Sequence, residues 1–119
     1  MTRDNYPAHY QLGLALFKKG KIEEAIDSYN KAIRIAPDYF YAYLNRGYAY
    51  AKLGQYQLAI DDFNESIRLR WYDNNAYNNL GYVYLMQGNN KLGCSEAQNA
   101  CQLGNCKLLE MAKSKGYCR

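Results

Sequence analysis

The chain has two prolines and one histidine in 119 residues, and no uninterrupted apolar run near the roughly 20 residues that cross a bilayer. With so little proline, and with 49% hydrophobic and 22% charged residues, a proline-rich linker or disordered tail is excluded and a compact folded domain over 1–119 is expected. At this length folding buries roughly two-thirds of the unfolded chain's surface, enough for a core without metal or cofactor. The lone His9 excludes a paired-histidine metal site, and glycine-rich phosphate loops, nucleophile elbows and CxxC pairs are all missing. The opening MTRDNYPAHYQLG lacks the basic stretch and apolar run of a secretory signal, so the chain is expected to be cytoplasmic and not membrane-inserted.

Acidic residues are scarce at the C-terminal end. Residues 74–119 carry five basic against two acidic side chains, while residues 1–73 carry ten against nine; the net charge is +4. Lys107, Lys113, Lys115 and Arg119 are accounted for by a solvated terminal helix face, and no nucleic-acid partner is expected.

Self-similarity dominates what is present. Segments beginning at Tyr6, Phe40 and Asn74 align without gaps at a step of 34 residues, with glycines in register at Gly13, Gly47 and Gly81 and again at Gly20, Gly54 and Gly88. Within each unit the apolar spacing is helical: Tyr43, Gly47 and Tyr50 form one stripe, and Ala59, Ile60, Phe63 and Ile67 form another after the Leu53-Gly54 break. Each unit therefore reads as two antiparallel helices with a glycine at the turn. Small Gly13 and Gly47 face Ala25 and Ala59 across the pair, with Tyr29, Tyr50 and Phe63 filling the space beyond.

The 34-residue period, Leu12-Gly13 and Leu80-Gly81, Ala25 and Ala59, Tyr29 and Phe63, and Pro37 together resemble the tetratricopeptide repeat family over about residues 6–105. The resemblance implies an all-α, right-handed solenoid of three helix-turn-helix repeats, at 6–39, 40–73 and 74–105, closed by a capping helix at about 106–116. Repeat two departs from the family pattern with Arg46 for leucine, Ser66 for alanine and Trp71 for proline, so Trp71 is expected to pack over the joint. Repeat three departs with Gly93 for alanine and Ala97 for a large aromatic, and its second helix is expected to be the weakest. Leu108, Leu109 and Ala112 give the last segment one apolar face, as a solvating cap requires.

Stacked helix pairs curve so that their first helices line a concave groove. That geometry predicts a lining of Tyr10, Leu14 and Phe17 from the first repeat, Tyr41, Leu44, Asn45, Tyr48 and Lys52 from the second, and Asn78, Asn79, Tyr82 and Leu85 from the third. Tyrosine offers contact area with few rotors to freeze, which suits recognition of a protein or peptide partner, with an apolar or proline-rich segment fitting better than an acidic one. A groove of this size implies micromolar affinity. One subclass of the family grips chaperone C-termini with a basic and asparagine clamp. Here only Asn45 matches it, while Tyr10, Leu14, Asn75 and Asn79 occupy the other positions, so no such clamp is expected.

The enzyme reading finds little support. His9 shares a column with Tyr43 and Tyr77 and is expected to pack as a core aromatic. Glu23, Glu24, Asp27, Asp61, Asp62 and Glu65 read as solvated outer faces beside Lys31, Arg34 and Arg68. The four cysteines lie together in the last quarter but with spacing poor for zinc. A hairpin turning near Gly104 would pair Cys94 with Cys118 and Cys101 with Cys106; buried free thiols are the competing reading. Bridged pairs and a removed leader would move the protein to the periplasm or outside the cell. The expected function is thus a non-catalytic scaffold with no cofactor and no metal. Self-association through Trp71 and Tyr72 to give a homodimer is one rival, and a cysteine-dependent redox protein is the other.

Overall fold

The computed structural model describes residues 5–119; the first four residues of the expected domain lie outside the described residues. Seven helices follow one another: α1 (Tyr6–Lys18), α2 (Ile22–Ile35), α3 (Phe40–Lys52), α4 (Tyr56–Leu69), α5 (Asn74–Met86), α6 (Asn90–Gln102) and α7 (Lys107–Ser114). Among the described residues there is no strand, and no helix is long and apolar enough to cross a membrane. The odd-numbered helices α1, α3 and α5 start at the three repeat origins, and each pairs with the helix that follows it. Gly20, Gly54 and Gly88 take positive φ at the three hairpin turns, as expected of a residue that ends a helix in the left-handed region. Asp73 and Asn89 cap α5 and α6 by accepting from Asn75 N and Leu92 N.

Close approach organises each pair. A Cβ on Gly47 would stand 2.8 Å from Phe63 Cε1, and one on Gly13 would overlap the Tyr29 ring. Tyr29 and Phe63 are fully buried as a result, each against the bare backbone of the facing helix. One cluster gathers Tyr10, Ala25, Ile26, Tyr29 and Ala32 with Ala42 and Ala49 of the next unit. The next gathers Phe40, Leu44, Ile60 and Phe63 with Ala76, Leu80 and Val83, so each core spans a repeat boundary.

The third pair solves the same problem with a different side chain. Ala97 leaves the aromatic's place empty, and Leu108 from α7 reaches in until its Cδ2 would lie 3.0 Å from a Cβ on Gly81. Gly93 in turn admits Leu85, whose Cδ2 would stand 2.6 Å from a Cβ there. Gly93 is therefore a packing requirement as well as a propensity cost, and α7 completes the third core in addition to covering it.

Two departures in the second repeat prove to be linked. Arg46 makes a bidentate pair with Asp62 at 2.7 and 2.8 Å and donates to Asn30 Oδ1 at 2.8 Å, tying α3 to both α4 and α2. Asp62 is accordingly buried, not part of a solvated outer face. Burial pushes its carboxyl up, while the Arg46 guanidinium pulls against that shift. Ser66 is also buried and donates to Asp62 O at 3.0 Å. Trp71 does not pack over the joint: it is 66% exposed and meets only Tyr72 edge-on among the aromatic rings.

Leu108→Ala should lower stability by about 2 to 5 kcal/mol, because it empties the space Ala97 leaves. Leu58→Ala, on the exposed side of α4, should stay within about 0.5 kcal/mol. Urea unfolding midpoints compare the two, and equal shifts would show that α7 adds nothing to the third core.

Candidate functional site

At 3.6 residues per turn, positions 41, 45, 48 and 52 fall within about 40° of one line along α3. The 34-residue step carries that line to 7, 11, 14 and 18 on α1 and to 75, 79, 82 and 86 on α5. The structure exposes this stripe. Tyr41, Tyr48, Tyr82 and Met86 are 40%, 41%, 49% and 53% exposed, and Gln11, Lys18, Lys52 and Asn75 are exposed as well. Leu44 and Leu85 lie about 60° and 80° off the line and turn inward. Leu44 is buried in the second core, and Leu85 covers Gly93. Tyr10, in the same column as Leu44, is buried in the first core, and Leu14 and Phe17 are half-buried against that core.

Five of the expected residues come together. Tyr48, Lys52, Asn78, Asn79 and Tyr82 line a recess of about 490 Å³ between α3 and α5, with Tyr56 and Met86 completing its walls. Met86 was not expected there, although its position on the angular line is readable in the sequence; Tyr56, on an outer helix, carries no such signal. The Lys52 ammonium lies 5.4 Å from the Tyr48 ring centroid, and Phe17 meets the same ring at 5.4 Å. Helices α1, α3 and α5 contain no Asp or Glu at all. The acidic side chains belong to the even-numbered helices, to α7 and to loops, so α1, α3 and α5 present no carboxylate of their own beside the recess.

Tyr41 stands at the other end of α3 in a different setting. Its hydroxyl accepts from Arg70 Nη1 at 3.1 Å, and the Arg70 guanidinium sits over both Tyr41 and Phe40. Asn45 spends its amide on Tyr10 Oη, at 2.9 Å, and on the Tyr41 carbonyl, at 2.8 Å. The one residue matching the family's clamp is thus committed to holding α1 against α3. Rings of Tyr6, Tyr10, Tyr39 and Tyr41 surround that contact. Burial pushes the Tyr10 hydroxyl up to about 12, reinforced by Tyr39 and Tyr41 and opposed by Asn45; burial does the same to Tyr29.

His9 is half-buried and belongs to neither core, as are Tyr43 and Tyr77 in its column; Tyr43 donates to the Pro37 carbonyl at 2.8 Å. Among the described residues no three His, Cys, Asp or Glu side chains gather as a metal-ligand set. The sulfurs of Cys94 and Cys118 lie at bonding distance with Cα atoms 5.7 Å apart, and those of Cys101 and Cys106 meet across the Gly104 turn.

Two family models match the first two helix pairs, one described as TPR repeat over residues 13–54 and one as Tetratricopeptide repeat over 40–70. The chain carries tetratricopeptide repeats. Such repeats are generally non-catalytic protein-interaction modules. The Arabidopsis OM64 TPR domain superposes with a TM-score of 0.91 at 20% identity, over 97% of this chain and 96% of that one. The first TPR of Spaghetti (RPAP3), solved bound to the HSP90 peptide SRMEEVD, gives 0.88 at 23% identity over 93% and 90%. MamA gives 0.80 at 26% identity over 92% of this chain and 61% of its own. The first two likenesses show the fold alone. No curated protein sequence matches the chain.

Unfolded tyrosine ionises near 10, whereas folded Tyr10 and Tyr29 hold their protons to about 12. The unfolded state therefore sheds protons first, and stability should fall as pH rises from about 10 towards 12. Urea unfolding at neutral pH and at pH about 11 should show that loss, and Tyr10→Phe should reduce it.

Proposed function

We propose that this chain is a non-catalytic scaffold that holds a segment of another protein on the concave face of α1, α3 and α5. The observation that carries the reading is the recess between α3 and α5, walled by exposed Tyr48 and Tyr82 with Lys52, Asn78 and Asn79 beside them. These tyrosines are not consumed by the core, unlike Tyr10 and Tyr29, so their apolar faces remain to be covered. A structural neighbour with a bound peptide supports the class of partner. Against the redox rival stands the juxtaposition of Cys94 with Cys118 and of Cys101 with Cys106, since a sulfur bridged in such a pair offers no thiolate nucleophile. Self-association through Trp71 and Tyr72 concerns a different surface, beside Tyr77 and Leu103.

The double variant Tyr48→Ala, Tyr82→Ala should keep its helical circular dichroism, because both rings are exposed. In affinity capture from source-cell lysate it should lose the protein that the native form retains. Identical capture by both would move the site off this face.

Bridged cysteines would go with a periplasmic or extracellular setting, and free thiols with the cytoplasm. Intact mass after alkylation of the protein from its native source should show no added label until a reductant is supplied. Labelling of all four cysteines without reductant would restore the cytoplasmic reading.

A further inference from the structure

We infer that the outward side of α1 is a docking face for a second copy of this chain, packed head to head so that the two α1 helices lie antiparallel about a two-fold axis. The repeat step defines the face. Ala42, Arg46 and Ala49 turn from α3 towards α2, where the two alanines join the first core and Arg46 reaches Asn30. Ala76, Leu80 and Val83 turn from α5 towards α4 and are sealed in the second core. Their equivalents on α1 are Ala8, Leu12 and Ala15, within about 60° of one another around the helix. All three are exposed, Leu12 at 51% where Leu80 stands at 0%. Among the described residues α1 packs only against α2 and α3, so the surface that α3 and α5 bury against a preceding helix is open here.

The two ends of the molecule indicate what covers it. A solenoid end is kept soluble by a polar outer side. The C-terminal end has one, since α7 exposes Lys107, Glu110, Lys113 and Ser114. In its thirteen residues α1 has a single charged side chain, Lys18, and a helix apolar on several sides is one that other helices bury. Stacking the N-terminal end of one copy on the C-terminal end of another would set Leu12 against the charges of α7. Two N-terminal ends instead bring together one uncharged surface and its own likeness, and a two-fold contact closes at the dimer.

Helix direction agrees with this arrangement. Short connections at 19–21 and 36–39 make α2 antiparallel to both α1 and α3, so the helix that covers such a face in this fold runs against it. A two-fold axis at Leu12 gives the partner's α1 that same direction, with Leu12 meeting its symmetry mate and Ala8 passing the partner's Ala15. Alanines at those points let the helix axes approach closely, as Ala42 and Ala49 do against α2. No residue of α1 lines the recess between α3 and α5, so the dimer would carry two open copies of it.

Light scattering from about 1 to 500 µM should show the mass doubling, because one helix pair is a small protein interface and implies micromolar dissociation. Leu12→Lys and Leu12→Glu should each weaken the dimer about tenfold or more and leave the helical circular dichroism unchanged, since the side chain is exposed and both replacements suit a helix. Mixing the two variants should restore a dimer, because position 12 faces itself only in a two-fold contact through α1. A monomer at every concentration overturns the inference. So does a dimer that both Leu12 variants keep but Trp71→Ser loses, which would move self-association to the Trp71 and Tyr72 surface. A dimer weakened by both Leu12 variants and not restored on mixing overturns the two-fold arrangement.

Discussion

The distance between the two helices of a repeat governs the rest of the molecule. Gly13 and Gly47 remove the Cβ that would otherwise meet Tyr29 and Phe63, so the rings lie directly on the facing backbone and are sealed from water. With the even-numbered helices occupied in this way, α1, α3 and α5 can dedicate one line of side chains to the next repeat and another to the concave face. The third repeat keeps the glycine but lacks the aromatic, and the solution comes from α7, where Leu108 fills the gap from outside the repeat. Cys94 lies beside Cys118 and Cys101 beside Cys106, at the two ends of the contact between α6 and that supporting helix.

A second constraint acts between repeats. The Arg46 guanidinium reaches Asn30 on α2 and Asp62 on α4 at once, so the orientation of repeat two on repeat one depends on a polar contact where the family has a leucine. Such a contact is geometrically exacting, because removal of either partner leaves a buried charge uncompensated. Beside it, the Tyr10–Asn45–Tyr41 chain and Arg70 over Tyr41 fix the same boundary from the concave side. The boundary between repeats two and three is packed by the second core and opens into the recess on its other side.

The surface separates its chemistry by helix. The acidic groups sit on the even-numbered helices, on α7 and in the loops, while the inner helices present tyrosine, asparagine and lysine. Of the twelve residues the sequence nominated, Tyr41, Tyr48, Lys52, Asn79 and Tyr82 are exposed or partly exposed on the central line, whereas Leu14 packs against the first core and Asn45 is taken up by Tyr10. In the column about 60° away Tyr10 and Leu44 turn into the core, while Asn78 lines the recess.

The sequence by itself determined the number of helices, their pairing and the repeat step, because a 34-residue period with registered glycines leaves few ways to bury its apolar stripes. It also placed the exposed tyrosines Tyr41, Tyr48 and Tyr82 on the first helices of the second and third repeats. Tertiary structure alone decided what the irregular positions do. Arg46, Gly93, Ala97 and Trp71 each break the pattern, and a broken pattern states only that something else must fill or leave the space. Leu108 fills Ala97's vacancy, Leu85 takes up Gly93's, Asp62 answers Arg46, and Trp71 remains at the surface. The physical reason is that periodicity encodes contacts within and between repeats, whereas compensation depends on which side chain reaches a given volume, and reach is a property of the packed molecule.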